Sequence, residues 1–507
     1  MTFNSQEIIQ DIHKDFEDML AYDTGEQART STADATERGL FKLLMQMGSK
    51  LLTLFFMMRS QAANRGSLKT ADGNEWSYHR DMQRTYFSIF GKVRFMRPYF
   101  YRKGAGGRTP LDAELSLGED CYSDLVREIH DYLSVYGVYH KACDILEREL
   151  GLRLSTRVVQ TNLGEDAAEV EAYYAQKPAP PAEREADILV IQADGKGVPM
   201  ILEKTVSEKV RLNKGEKHGR KKEAVVTTVY SIEAFVRTPE QVVASYYDKI
   251  HASRPPQPQN KHLWATLDGK DVALGRLAKQ VTSRLGEHLH HKVVLCDGCE
   301  ALQSRITKQF PDFTLILDFI HANEYLWKVA NVLLGESNDQ RFAWMKARTL
   351  QLLSGQTKQL IAEFRALVNQ PKMSIARRTQ LLKTANSFER NLPFMNYPAY
   401  LSKGWPIASG VIEGACRHFV KDRCELSGMR WLQSGAENLL RLRAVAENDD
   451  WEDYHLYRIQ QRHLRLYGTR NVCPEPIEVQ SLNLHSPPVE PMVANKQNRY
   501  SQLPLAF

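Results

Sequence analysis

The chain has little of what marks a secreted or membrane-bound protein. Its 507 residues include only seven cysteines, scattered rather than set at regular steps. That excludes a disulfide-stapled scaffold and fits a reducing compartment. The N-terminus carries no secretory apolar segment, so the cytoplasm is the expected location. No uninterrupted apolar run reaches membrane length. The greasiest stretch, Leu40 to Met58, is broken by Lys42, Gln46, Ser49 and Lys50, and suits a buried or dimer-forming helix better than a membrane span. Neither sign of charge dominates: 67 Lys and Arg stand against 61 Asp and Glu, a net +6. That balance permits nucleic-acid binding without requiring it, so the distribution of charge matters more. No internal repeat is visible. What remains is ordinary globular composition, 43% hydrophobic and 25% charged, at a length for roughly two to four domains.

The positive signal centres on Ala186-Asp187-Ile188-Leu189-Val190-Ile191-Gln192-Ala193-Asp194-Gly195-Lys196-Gly197. An apolar, β-branched run stops at an aspartate followed by two glycines, which reads as a buried strand ending in a tight turn. A lone Asp-Gly is most often a turn. Here two further carboxylates stand in comparable settings: Asp297 after Lys292-Val293-Val294-Leu295-Cys296, and Glu413 in Ser409-Gly410-Val411-Ile412-Glu413-Gly414.

Upstream, residues 1–120 read as a region that is helical to about residue 65 and then carries a hairpin around Gly91, in which arginines and lysines interleave with aromatics. This is either a small β-unit with a solvated basic face or a DNA-contacting ribbon. Residues 121–177 read as three short helices, with Gly151 breaking the pattern and Ser155 capping the third. That is a helix-turn-helix arrangement, with Arg157, Gln160 and Asn162 as the candidates to face a DNA groove. Pro178-Ala179-Pro180-Pro181 reads as a linker.

From Asp187 the order is strand, a basic stretch from Lys204 to Lys222, strand (Ala224–Ile232), strand (His262–Leu267), helix (Val272–Leu285), strand (Lys292–Cys296), helix (Leu302–Phe310) and strand (Phe313–Leu317). Three strands, helix, strand, helix, strand is the order of an RNase H-like α/β fold, in which the first and fourth strands are neighbours. Asp194 and Asp297 are then expected side by side, with Glu413 on a helix beside them and the three carboxyls close enough to share one ion. The catalytic region spans 186–445, with an all-α insertion at about 324–403. Residues 446–507 form a helix and a tail. The expected architecture is thus multi-domain α/β: a helical and β N-terminal region, a helix-turn-helix, and an RNase H-like core.

Three carboxylates at one point suit Mg²⁺ or Mn²⁺, which prefer oxygen ligands and leave room for water and phosphate. Lys217, Arg220, Lys221 and Lys222 of the basic stretch, with Arg417, His418 and Arg430 near Glu413, are the candidate phosphate contacts. Asp268 is a reserve carboxylate and reads as a turn residue. Cys296-Asp297-Gly298-Cys299 lacks the second pair that a structural zinc needs, so buried free cysteines are expected.

These motifs resemble a known family. Gln192-Ala193-Asp194-Gly195-Lys196-Gly197-Val198-Pro199-Met200, Leu295-Cys296-Asp297-Gly298, the run Leu317 to Trp327, and Gly404-Trp405-Pro406 through Gly414 are similar to bacterial insertion-sequence transposases of the DDE class, of the ISKra type, over roughly residues 80–445. The resemblance implies that Asp194, Asp297 and Glu413 are the catalytic triad and metal ligands. Asp318 and His321 match the C/D-x-x-H element of Mutator-like transposases and support the site. The implied function is metal-dependent cleavage and transfer of DNA strands after binding of terminal inverted repeats. The implied partners are terminal and target DNA and further copies of the chain, with no membrane, in a nucleoid-associated bacterial cytoplasm. The alternatives are an RNase H-like structure-selective nuclease and a non-catalytic, domesticated DNA-binding protein.

Overall fold

The structure, a computed structural model, describes residues 5–69, 73–201, 221–250, 254–371, 373–426 and 428–468. It is a mixed α/β protein with two sheets.

The chain opens with two long helices, α1 (Ser5–Thr24) and α2 (Ala33–Ala62), and then a four-stranded antiparallel sheet: β1 (Ser67–Lys69), β2 (Glu75–Ser88), β3 (Gly91–Arg102) and β4 (Gly106–Arg108). The predicted hairpin is β2–β3, closed where Ser88 pairs with Gly91; Gly91 takes φ +102°, open to glycine at little cost. Alternate residues of β3, Val93 and Phe95, pack on Phe56 of α2, whose ring stacks on Phe95 at 4.3 Å. The polar interruptions of α2 do not shorten it. It is one helix of 30 residues with a mean hydropathy of 1.3 over its most apolar window, enough by length and composition alone to cross a membrane.

Helices α3 (Pro110–Glu114), α4 (Asp124–Tyr136), α5 (Tyr139–Leu150), α6 (Thr156–Asp166) and α7 (Val170–Gln176) follow. Gly151 ends α5 in the left-handed conformation and the Ser155 side chain caps α6, as the sequence signals indicate.

The second sheet comprises β5 (Ile188–Pro199), β6 (Lys221–Ile232), β7 (Gln259–Thr266), β8 (His291–Cys296) and β9 (Thr314–Leu317), in the spatial order β7-β6-β5-β8-β9. β5 runs parallel to β8 and antiparallel to β6. Between these strands lie α8 (Pro239–Val243), α9 (Lys270–Arg284) and α10 (Glu300–Gln309). Leu189, Ile191 and Ala193 share a cluster with Leu274 and Leu277 of α9 and with Leu302 and Ile306 of α10. Ile188 and Val190 face the other way, into the helices of the insertion. That insertion is α11 (Phe319–Leu334), α12 (Gln340–Leu353), α13 (Thr357–Val368), α14 (Ile375–Asn391) and α15 (Tyr397–Ser402). Its apolar side chains Leu326, Val329, Phe364 and Phe388 close over Val293, Leu295 and Ile316. Both faces of β5 are covered, which is why it reads as an unbroken apolar run. The last elements among the described residues are α16 (Gly410–Ala415), a π-helical turn (Cys416–Lys421), α17 (Asp422–Cys424), α18 (Gln433–Glu447) and α19 (Trp451–Tyr467).

The helices at 124–176 do not stand apart from this core. Leu163, Ala167, Val170, Tyr173 and Tyr174 share one apolar cluster with Val226 and Trp264 of the sheet and with Phe419, Leu439 and Leu440. Arg423 donates to Ser134 O at 2.9 Å and Arg443 to Phe419 O at 2.8 Å and to Val135 O. Arg127 of α4 and Arg458 of α19 both pair with buried Asp166, so α19 is bound into the same unit.

Candidate active site

Side-chain parity places the carboxylates. On β5 the even-numbered residues face the insertion and α16, so Asp194 follows Ile188, Val190 and Gln192 onto that side. On β8 the odd-numbered Val293 and Leu295 do the same, and Asp297 follows them. The parallel pairing of the two strands ends at Ala193 opposite Cys296, one residue before each aspartate. Gln192 completes the frame: its buried amide accepts from Ile412 N at 2.9 Å and donates to Tyr230 Oη at 3.0 Å. It thereby pins α16, which carries Glu413, against the sheet.

A cavity of about 160 Å³ opens there, lined by Asp194, Asp297, Asp318, His321, Glu324, Ser409 and Glu413 among others. All five of the sequence-derived site residues, triad and supporting pair, line this one space. Asp318 is 2% exposed and accepts from Ile320 N (2.9 Å), from Ser409 N (3.3 Å) and from Ser409 Oγ (2.5 Å). It therefore caps α11, and it also ties that helix to α16. Burial pushes its carboxyl above the usual range, against the pull of the Ser409 hydroxyl. Ser409 Oγ also lies 3.1 Å from Glu413 Oε1. Glu413 stands at the mouth of the cavity; partial burial, reinforced by the nearby charge of Asp318, raises its carboxyl as well. Burial is thus the first cause of both shifts, and at Glu413 the neighbouring negative charges of Asp318, Glu324 and Asp194 add to it.

The oxygen-rich donor set fits a hard divalent cation. The expectation that the three carboxyls already stand around one point is not met: among the described residues no three His, Cys, Asp or Glu side chains converge into a preformed cage. Each carboxylate is turned to a local donor instead. Asp194 accepts from Gly195 N (2.6 Å) and the Cys416 thiol (3.3 Å), and Asp297 from Cys299 N (3.0 Å). Mutual repulsion among unneutralised carboxylates favours that splaying.

Two expectations need correction. Asp194 does not end its strand. β5 continues to Pro199, paired throughout with β6, and the glycines that suggested a turn make room for neighbouring side chains. A Cβ on Gly195 would collide with Glu223, and one on Gly197 would press on Lys221. Asn162 cannot face a groove: it is 5% exposed and its amide meets His130 Nε2 at 3.3 Å inside the helical core. Arg157 and Gln160 do remain exposed on α6. Asp268 lies away from the cavity, accepting from Gln433 at 2.9 Å.

Of the basic candidates, Lys217 and Arg220 lie outside the described residues. Lys221 pairs with Glu425 at 2.5 Å and Lys222 donates to Gln433 at 2.7 Å. Arg417, His418 and Arg430 are exposed, with His418 beside Asp422 at 3.1 Å. Cys296 and Cys416 are free and buried, and burial raises both thiols. Sequence reasoning missed Glu324, Ser409 and Cys416. Glu324 had a signal, since it follows His321 by three positions on one helix and so shares its face. Ser409 and Cys416 had the same signal relative to Glu413, four positions before it and three after it, but their contacts with Asp318 and Asp194 join residues remote in sequence.

Compared with protein-family models the chain matches none, and compared with curated proteins it has no significant match.

Proposed function

We propose that this protein is a DNA transposase of the DDE class, cleaving and transferring strands at Asp194, Asp297 and Glu413. The observation that carries the reading is the meeting of these residues, from three distant parts of the chain, in one carboxylate-lined cavity beside the ends of two adjacent parallel strands. The strand order β7-β6-β5-β8-β9, with β6 antiparallel, supports an RNase H-like core. The long helical excursion between β9 and α16 supports the all-α insertion expected from the sequence at about 324–403.

In this reading Asp194, Asp297 and Glu413 hold Mg²⁺ or Mn²⁺. A cation held by these carboxylates would activate a water or a 3′-hydroxyl for attack and offset charge on the scissile phosphate. The protein's own part is positional. Gln192 holds α16 to the sheet, and Ser409 and Asp318 lock the first turn of that helix, so Glu413 projects from a fixed base. Arg157 and Gln160, exposed on α6, would read DNA, while the exposed Arg417, His418 and Arg430 would contact phosphate.

The test is a nicking assay on labelled DNA bearing the element's ends, run beside a thermal melt. Asp194→Asn, Asp297→Asn and Glu413→Gln should each melt near the wild type, still bind DNA, and lose Mg²⁺-dependent cleavage by orders of magnitude. The losses should not multiply, because one missing ligand disables the shared site. A well-folded Asp194→Asn protein that cleaves normally would falsify the assignment. Cleavage without strand joining would favour the nuclease reading, and DNA binding without cleavage by the wild type the non-catalytic one.

A further inference from the structure

Of the three carboxylates, Asp194 has the least local reason to stay in place. Asp297 follows the last residue of β8 and accepts from the backbone N–H of Cys299 at 3.0 Å. Glu413 rides on α16 with Ser409 Oγ 3.1 Å away. Asp194 stands in mid-strand, and its Oδ1 accepts only from the N–H of the adjoining Gly195 at 2.6 Å. A single bond to an adjacent residue leaves the carboxylate free to turn about it.

Its second oxygen is met from a distant part of the chain. The Cys416 thiol donates to Asp194 Oδ2 at 3.3 Å. Cys416 follows Glu413 by three positions, where α16 passes into the π-helical turn, so one helix face presents both side chains toward β5. The sulfur is held by packing and not by the bond it makes. Cys416 is 6% exposed and shares an apolar cluster with Val198, Phe419 and Val420, the last two carried there by the same π-helical turn. A thiol is a weak donor, and a carboxylate oxygen has lone pairs to spare. The contact can therefore bias the direction of Asp194 without competing with a cation for it.

We propose that Cys416 is a positioning residue, whose thiol sets the rotamer of Asp194 so that this carboxylate and Glu413 face a divalent cation together. The proposal rests on the reading of Asp194 and Glu413 as cation ligands, and adds that the helix carrying one ligand also aims the other.

Titration calorimetry of Mn²⁺ into the full chain tests it, beside thermal melts of the metal-free proteins. Cys416→Ser keeps a donor at the position, whereas Cys416→Val fills the space without one, and Cys416→Ala removes the donor with no risk of overpacking. The serine variant should bind Mn²⁺ within about threefold of the wild type, and the valine and alanine variants about tenfold or more weakly, as when a group behind a metal ligand is removed. The Mg²⁺ concentration for half-maximal cleavage should rise by the same factor, with the rate at saturating Mg²⁺ largely restored. A merely structural cysteine gives the reverse pattern: serine, which brings a hydroxyl into an apolar cluster, lowers the melting temperature most, and valine leaves the affinity untouched. Wild-type affinity in the alanine or valine variant overturns the proposal, and so does a serine variant that binds as weakly as they do. Asp194→Asn separates this outcome from failure of the catalytic reading. If it abolishes Mn²⁺ binding while Cys416→Ala does not weaken it, only the positioning role falls. If Asp194→Asn binds Mn²⁺ like the wild type, the ligand reading falls and the positioning role with it.

Discussion

Arg157 and Asn162 share α6 and face opposite ways, and substitution should separate them. Asn162→Ala leaves the buried His130 ring without its partner and should cost about 1–3 kcal/mol, visible as a lower melting temperature. Arg157→Ala and Gln160→Ala should leave the melt unchanged and reduce discrimination between specific and random DNA. His455 of α19 offers a pH-dependent counterpart. It is 2% exposed, neither ring nitrogen has a hydrogen-bond partner among the described residues, and Trp451 lies against it at 4.6 Å. Burial, with the positive charge of Arg458, holds its pKa down at about 3, while Asp166 and Asp124 pull the other way. A depressed folded pKa means that its stabilising contribution is complete above the unfolded value near 6.5. That contribution is lost as pH falls from there toward the folded value, at up to about 1.4 kcal/mol per pH unit. His455→Phe should therefore flatten the fall in melting temperature between pH 6.5 and pH 4. An unchanged slope would show that another group carries the acid sensitivity, buried His262 being the next candidate because its pKa is also depressed by burial.

At the scale of elements, Phe56 couples α2 to the ribbon within a cluster of five buried residues. Phe56→Ala should cost about 3–5 kcal/mol locally, seen as faster amide exchange in β3 with β5 and β8 unaffected. The elements also show what the sequence can reveal. The strands of the second sheet were legible as short apolar runs bounded by polar residues, rich in β-branched side chains in β5, β6 and β8, and the caps at Ser155 and Gly151 because their chemistry is local. The length of β5 was not legible. Gly195 and Gly197 look like turn residues in one dimension, and only the cross-strand neighbours Glu223 and Lys221 reveal why side chains are absent there. In the same way, the site's carboxylates could be found from strand order, whereas the Ser409–Asp318 clasp joins residues whose proximity nothing local encodes.

At the scale of the molecule, the helices at 124–176 are part of the core and not a tethered reading head. Their apolar faces are shared with the sheet, α18 and α19, so residues 121–177 expressed alone should remain largely unfolded by circular dichroism. Limited proteolysis of the full chain should likewise release no stable fragment of that span. Under the proposed function, DNA held by α6 would therefore be fixed in orientation relative to the cavity.

The insertion leaves the core at Phe319 and returns by Ile407, and those two residues are joined directly, Phe319 N donating to Ile407 O at 2.8 Å. The excursion is therefore a loop closed at its neck, with the Asp318–Ser409 clasp just inside. Because the entropy of closing a long loop grows only with the logarithm of its length, segments can be added beyond that neck at little entropic cost and without displacing Glu413, whereas the helices that cover the sheet cannot be lost without baring Val293, Leu295 and Ile316. The insertion is thus open to growth at its far side while the position of the third carboxylate stays fixed.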